Sequence, residues 1–561
     1  MIAAELTGPW DDARVPPGYP RPQMVRADWR SLDGPWDYAI RDDAARPQRW
    51  DGRIAVPFSP ESELSGVGRQ VLPGQTLWYR RVVRLGRGDG RLLLHVGAAD
   101  QHCLVYVNGT RAGWHSGGYW PFSLDVTPYV REGHNEILLA VRDDSDQGLE
   151  AYGKQRLARG GMWYTAQSGV WQTVWTETVP STYIERVDLA PLPDESALAC
   201  TVTLAGEAPG TATLRLDLPD PHPWSPDDPY LHGVRITAGE DSVETYAGWR
   251  TVGLDRTGGV TRFTLNGQPL FCSGLLDQGY YAGGLYTAPD DDAVVADLRQ
   301  VKALGFNLLR KHVKIEPQRW YYHCDRLGLL VWQDLVSGGG PYSDWVTRLW
   351  PFLGVTLSDD GRRRFGRASE AGRRIFERDL RRTVALLRNH PSVVAWVPFN
   401  EGWGQFDANR IAEAIRALDP TRLVDHASGW HDQGGGDVRS WHVYYKPFRM
   451  SPDPRRRLLA LTEVGGFGHA VPGHVYGEKR FGYGAYASAE EAGRAFARLY
   501  RRQVIPAVAR GLGAVVYTQL SDVEDEVNGL VTYDRATWKL DPELVRAINR
   551  ELRAAATIVG P

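Results

Sequence analysis

Two glutamates, Glu401 in VVAWVPFNEGW and Glu463 in LLALTEVGG, each follow directly on a run of apolar residues. A carboxyl at the end of a buried strand is partly desolvated, which raises its pKa toward the range a general acid needs near neutral pH. A second carboxyl that stays ionised supplies a nucleophile, and Arg310 is the cation that could hold Glu463 in that state. Two carboxyls facing one another across a pocket are the minimal apparatus for cutting a glycosidic bond. A single strand-end glutamate is as readily structural; the second, three strands on, is what points to chemistry.

The elements that must position this pair follow from the pattern after about residue 256. Apolar runs alternate with helical stretches, the mark of βα units and a parallel sheet. Eight runs can be read: LFCSGLLDQ, FNLLRKHV, LLVWQDLV, VVAWVPFNEGW, LVDHASGW, VRSWHVYY, LLALTEVGG and GAVVYTQLSD. Between them, DDDAVVADLRQVKALG opens on acids and closes on Gly305, as the helix dipole favours. FERDLRRTVALLRNH sets Phe376, Leu380, Val384 and Leu387 on one face. Helices after the fifth and sixth runs are weak or short. This predicts one (β/α)₈ barrel over 256–561, whose chemistry belongs at the C-terminal ends of its strands. The polar residues fall at those ends: Asp277 and Gln278, then Arg310, Lys311 and His312, then Gln333 and Asp334, then Asn400 and Glu401, then Asp425 and His426, then His442 and Tyr444, then Glu463, then Gln519 and Asp522.

Ahead of the barrel the pattern is all β. Residues 1–180 read as a jelly-roll sandwich of short strands, with Asn108-Gly109 marking a tight turn and residues 1–30 a Pro-rich lead-in arm or loose tail. Residues 181–255 read as an immunoglobulin-like sandwich, slightly short for one. The net charge of -3 gives no electrostatic case for nucleic acid or an acidic membrane. The 21 Trp and 25 Tyr suit stacking on sugar faces as well as they suit the padding of sandwiches; Trp403, Trp430, Trp441 and Tyr445 are the platform candidates. Cys103, Cys200, Cys272 and Cys324 are far apart and read as buried free thiols. The N-terminus lacks a signal-peptide pattern and no apolar stretch approaches membrane length, so a soluble, cytoplasmic protein is expected.

Structural readings compete at several positions. Arg310 equally suits a barrel ion pair, Asp334 a buried acid that orients a neighbour, and His312, His426 and His442 core histidines, His426 most of all. The run Asp522, Glu524, Asp525, Glu526 could be mistaken for a metal site but reads better as a solvated loop or cap. No metal or cofactor is expected. No P-loop, strand-linked GxGxxG or GxSxG elbow is present.

The chain resembles glycoside hydrolase family 2, the family of β-galactosidases, β-glucuronidases and β-mannosidases, over about 30–540. The resemblance rests on SLDGPWDYAI, LWYRR, VYVNGTRAGWHSGGYWPFSLDVT and GMWYTAQSGVWQTVW in the first domain, and on PWSPDDPYL and AGWRTV in the second. In the barrel it rests on FTLNGQPLFCSG, LGFNLLRKHVKIEP, CDRLGLLVWQD, RNHPSVVAWVPFNEGW, TEVGG and QLSDVEDEVNGLVTYDR. It implies Glu401 as acid/base, Asn400 as partner of the sugar 2-hydroxyl, Glu463 as nucleophile, Tyr444 as the residue orienting it and Arg310 as the arginine beneath it. Asp277-Gln278 replaces a commoner histidine-containing segment, the second strand ends in RKHVK, and the Asn-x-Lys motif that reads a glucuronate carboxylate is missing after the eighth strand. The expectation is therefore a retaining, exo-acting β-glycosidase, with a β-galactoside as first choice of substrate and other β-glycosides of the family as alternatives. The two carboxyls should then lie about 5–5.5 Å apart. Asp277, Gln278, Arg310, His312, Asp334, Asn400, Trp403, Trp430, His442, Tyr444 and Gln519 are expected to line the sugar site. The competing classes are a carbohydrate-binding protein with an inactive barrel and a metal-dependent hydrolase. A small glycoside is the expected partner, and the oligomeric state is left open.

Overall fold

A computed structural model describes residues 2–86, 88–192 and 195–558. Period-two alternation builds the first sandwich. In His102–Val107, Cys103, Val105 and Val107 point into the core, and Asn108 and Gly109 turn the chain with φ of 51° and 83° into Thr110–Ser116. Both positive angles match the two-residue hairpin expected there. A six-stranded antiparallel sheet faces a four-stranded one across Leu32, Trp36, Val105, Leu139 and Val174.

The second sandwich packs Thr182–Leu192, Ala197–Gly206 and Gly210–Asp217 against another three-stranded sheet. One strand of that sheet is Ile2–Pro9, antiparallel to His232–Ala238. Residues 2–9 are thus neither a loose tail nor part of the first sandwich, where the expected span of 1–180 put them. Ile2, Ala4 and Leu6 alternate toward the second core and cover an otherwise open sheet edge, which is why 181–255 alone looks short. Buried Arg26 ties the two sandwiches, with Nη1 on Glu177 at 3.0 Å and Nη2 on Asp241 at 2.8 Å.

The eight predicted runs form eight parallel strands: β1 (Cys272–Asp277), β2 (Leu308–Lys311), β3 (Leu330–Asp334), β4 (Val393–Val397), β5 (Leu423–Val424), β6 (Val438–Val443), β7 (Leu458–Gly465) and β8 (Leu512–Thr518). The ladder runs β5-β4-β3-β2-β1-β8-β7-β6. Asp437 closes the remaining gap: its amide donates to Val424 O at 2.7 Å and its carboxylate accepts from Val424 N at 2.9 Å. Six helices wrap the sheet: α1 (Asp291–Ala303), α2 (Gln318–Leu327), α3 (Glu370–Leu387), α4 (Ala408–Leu418), α5 (Ala489–Leu499) and α6 (Pro542–Ile558). Among the described residues no helix follows β5 or β6, and none is long and apolar enough to cross a membrane. Helix α1 starts on an Asp290 cap that accepts from Ala293 N at 2.8 Å, and α3 buries Phe376, Leu380, Val384 and Leu387.

The connection from Asp143 to Thr173 leaves the first sandwich and crosses to the barrel mouth. Tyr152 N and Gly153 N both donate to Ser337 O, and Thr165 N donates to the Glu524 carboxylate at 3.1 Å.

Candidate active site

Past the end of β4, Asn400 bridges to Ser428, and Glu401 N donates to Ser428 O at 3.0 Å. Glu401 takes φ of 49°, in the left-handed region. That conformation costs a non-glycine residue about 1–3 kcal/mol and persists only where surrounding contacts fix it. The distortion places Glu401 Oε1 2.7 Å from His442 Nδ1, brought in by β6.

Arg310, fully buried, joins four strand ends. Its Nε and Nη2 lie 3.0 and 3.1 Å from the two Asp334 oxygens, and Nη2 also donates to Asn400 Oδ1 at 2.8 Å. Nη1 donates to Glu463 Oε1 at 3.0 Å. Tyr444 OH donates to the other Glu463 oxygen, and the Tyr444 ring lies flat on Tyr483 at 3.6 Å. Glu463 is therefore held at both oxygens by donors. Removing one partner of such a buried ion pair costs about 3–5 kcal/mol, so Arg310 is built into the barrel as well as into the site.

The Arg310 contact also fixes the proton on His442. Arginine only donates, so His442 Nε2, 3.2 Å from Arg310 Nη1, must accept, and the ring's proton sits on Nδ1. Burial holds His442 below the usual histidine pKa, in its neutral form. It donates to Glu401 Oε1, which leaves Oε2 to carry the Glu401 proton. Burial raises the Glu401 pKa above the usual carboxylate value, and the nearby charge of Glu463 pushes the same way, against the His442 hydrogen bond. An oxygen of Glu401, an oxygen of Glu463 and a His442 nitrogen all lie within 4.8 Å of one another. This is the only group of three potential metal ligands among the described residues. The Arg310 guanidinium already occupies its inner side, so a second cation there would face a like charge.

The expected site residues divide between this cluster and its surroundings. Arg310, Asp334, Asn400, His442, Tyr444 and both glutamates meet directly, and His312 joins through Nδ1 at 2.7 Å from Asp334. Asp277 instead pairs with Lys311 at 2.6 Å, in a neighbouring ion cluster with Glu316 and Lys314. Gln278 and Gln519 bond one another at 2.6 Å and continue through Asn528 to Glu526. Trp403 is a buried wall against Trp163 and His312. Trp430 is half-buried beside His442. Trp441, one residue off on β6, packs on Phe448 and Arg439, whereas Tyr445 stands 60% exposed at the mouth. His426 is buried against Gln433 N and Asp432, as a core histidine would be. The run from Asp522 to Glu526, expected as a solvated loop or a cap, is buried and not solvated. Asp522 takes Lys539, Glu524 and Asp525 take Arg159, and Glu526 takes Tyr164, all buried where the first sandwich's long connection meets the barrel.

That connection brings a residue the sequence reading missed. Lys154 is 5% exposed, with Nζ 5.4 and 5.9 Å from the ring centres of Tyr164 and Trp403. It has no hydrogen-bond or ion-pair partner for Nζ among the described residues, yet its charge reaches Glu401 and His312. Asn400 Nδ2 and Trp403 Nε1 are buried donors without a partner among the described residues. Each unsatisfied buried donor costs about 1–3 kcal/mol, so an acceptor that reached Asn400 Nδ2 or Trp403 Nε1 would be stabilised there. The signal was the length of the connection, since loops of more than about 12–15 residues in compact domains are usually functional.

Two family models match the chain: "Glycosyl hydrolases family 2, sugar binding domain" over residues 70–178 and "Glycosyl hydrolases family 2, TIM barrel domain" over 260–462. Together they take in more than half the chain; the second includes Glu401 and stops one residue short of Glu463. A β-galactosidase of Thermoanaerobacter pseudethanolicus is 26% identical over 61% of the chain and 48% of its own length. A putative β-glucuronidase of Formosa agariphila is 23% identical over 63% of the chain and 42% of its own length. The chain spans somewhat under half the length of the curated relatives it matches. A solved β-glucuronidase from an uncultured Clostridium sp. superposes with a TM-score of 0.72 at 17% identity, covering 94% of this chain and 99% of that one.

Proposed function

We propose, for a chain that belongs to glycoside hydrolase family 2, that it is a retaining, exo-acting β-glycosidase working by double displacement. The observation that carries this reading is that one oxygen of Glu401 and one oxygen of Glu463 lie within 4.8 Å of each other. Retaining enzymes hold their carboxyls about 5–5.5 Å apart, whereas inverting ones need about 6.5–9.5 Å to admit a water. Glu463 attacks the anomeric carbon as Glu401 passes its Oε2 proton to the leaving oxygen. Glu401, now a carboxylate, takes a proton from water, which attacks the glycosyl-enzyme and frees Glu463. Arg310 and Tyr444 hold Glu463 at both oxygens and aim it, and Asn400 Nδ2 is free to meet a sugar hydroxyl. Both glutamates are buried, which supports exo action at the closed end of a site.

For the sugar, the curated β-galactosidase relatives favour a β-galactoside. Lys154 favours a second reading, a β-uronide, because a buried cation without a counter-ion is stabilised far more by a carboxylate than by a hydroxyl. One experiment addresses both: nitrophenyl β-galactoside, β-glucuronide and β-galacturonide are supplied to the full chain and the product anomer is followed by proton NMR. The β-anomer should appear first. An α-anomer as first product removes the retaining mechanism, and the preferred substrate decides between the two sugars.

His442 makes a separate prediction. Its hydrogen bond favours the Glu401 carboxylate, so His442→Ala should raise the Glu401 pKa. Activity is lost at high pH as Glu401 gives up its proton; the descending limb of kcat/KM should therefore move to higher pH. A bond to a charged group is worth about 1.5–3 kcal/mol, which corresponds to a shift of about one pH unit or more. A limb that stays in place or moves down would show that His442 does not tune Glu401.

A further inference from the structure

The tyrosine that grips Glu463 is itself backed by a second ring. Tyr444 gives its one proton to Glu463, so Thr518 Oγ1, 3.4 Å away, donates to the Tyr444 oxygen. Those contacts meet the hydroxyl only. The face of the ring is met by Tyr483, at a centroid distance of 3.6 Å and an interplanar angle of 8°. Aromatic pairs left to themselves prefer offset or edge-to-face arrangements with centroids about 4.5–7 Å apart. A near-parallel contact this close is therefore imposed from outside the pair.

The imposing element is the loop between β7 and α5. It folds back on itself, with Gly468 N donating to Gly484 O at 2.7 Å and Tyr483 N to Gly466 O at 2.8 Å. It is also laced to the loop after β8, where Phe481 N donates to Asp525 O at 2.8 Å and Val527 N to Phe481 O at 2.9 Å. Gly466 admits the ring, because a Cβ there would stand 2.4 Å from Tyr483 Cδ2. Arg159, from the first sandwich's connection, reaches both loops: it pairs with Asp525 at 3.2 Å and lies 4.9 Å from the centre of the Tyr476 ring. Burial, with the charges of Glu401, Glu526 and Glu463, holds the Tyr483 phenol well above the usual tyrosine range, so it stays neutral beside the carboxyl pair.

We infer that Tyr483 is a second positioning residue of the nucleophile, holding the Tyr444 ring where its hydroxyl meets Glu463. The inference rests on the reading of Glu463 as nucleophile. The side-chain donors to Glu463 are Arg310 and Tyr444, so Tyr483 acts through Tyr444. Removing the stack opens one face of the Tyr444 ring. Tyr444 can then swing about its Cα–Cβ bond and carry the hydroxyl off the Glu463 oxygen, and small misplacements of a reacting group are costly.

The test follows the attack of the nucleophile alone, with a 2-deoxy-2-fluoroglycosyl fluoride of the sugar the panel identifies. A Glu463 oxygen bonds to the anomeric carbon as fluoride departs, and the sugar stays on the enzyme because the fluorine slows its release. In the full chain, Tyr483→Leu should lower the first-order inactivation rate about fivefold or more, the effect expected of an aromatic pair. The half-saturating concentration should stay within about twofold. Tyr483→Phe, which keeps the ring, should recover most of the loss. In a Tyr444→Phe background, Tyr483→Leu should cost less than about twofold further, because the hydroxyl it positions is gone. Gly466→Ala crowds the ring with Tyr483 itself intact; it should reproduce the loss, and it decides the matter if the thermal midpoint shows that Tyr483→Leu does not fold. An unchanged inactivation rate, an equal loss in Tyr483→Phe, or an undiminished loss in the Tyr444→Phe background overturns the role. So does a change confined to half-saturation, which would make Tyr483 a sugar contact. Peptide mapping of the label separates these failures from the other kind: a label away from Glu463 overturns the nucleophile reading and the role with it, whereas the rate outcomes overturn the role alone.

Discussion

Glu463→Ala is expected to lower kcat by on the order of 10⁴–10⁶-fold, the scale seen when a nucleophile acting as part of a unit is removed. The argument is local. Glu463 is gripped at one oxygen by Arg310 and at the other by Tyr444, so no other carboxyl can take its position without breaking both contacts. Arg310 keeps its two bonds to Asp334 after the substitution, and the barrel should therefore stay folded, which the thermal midpoint checks. The truncated side chain leaves room for a small anion. Azide should restore part of the activity by attacking the anomeric carbon from the vacated face, expelling the nitrophenolate and leaving an α-glycosyl azide. Full turnover by a folded Glu463→Ala protein would remove the nucleophile from the mechanism.

Glu401→Gln should cost about 10²–10⁴-fold on substrates with poor leaving groups, the usual worth of a positioned acid. Glutamine keeps an oxygen for the His442 Nδ1 proton but has none to give the departing oxygen. A 2,4-dinitrophenyl glycoside needs no such help, so its first step should survive while the second, which needs a base, stalls. The expected signature is a burst of dinitrophenolate of one equivalent per chain. The descending pH limb should vanish as well, because the group whose raised pKa sets it is gone. A uniform loss across all leaving groups, with the limb unchanged, would point to a structural role for Glu401.

The barrel's strands and the places of its two glutamates were legible in the sequence. The eight strands and the two glutamates could be read because a barrel strand declares itself by apolar content and its end by the first polar residue. Position along the chain does not reveal which polar residue turns toward which neighbour. Asp277 could be placed at the end of β1, but its partner Lys311 on β2, and the bond between Gln278 and Gln519 across β1 and β8, depend on facing side chains. On β6, alternation sends His442, an expected site residue, to Glu401 and Trp441, a platform candidate, to Phe448. The acids from Asp522 to Glu526 looked solvated because the Arg159 and Tyr164 that cover them lie more than three hundred residues earlier. Lys154 escaped for the same reason: its own stretch of sequence carries no strand end, and only the fold carries it to the barrel.

The pairing of Ile2–Pro9 with His232–Ala238 also bears on how the molecule is made. During synthesis the first strand leaves the ribosome with no partner, and the edge it will complete is translated more than two hundred residues later. Closing so long a span adds little entropy beyond what a medium loop costs, so the delay is kinetic rather than energetic. Until that edge emerges, a nascent chain carries an unpaired strand while its first sandwich can already form. The second sandwich closes only when His232–Ala238 pairs with Ile2–Pro9.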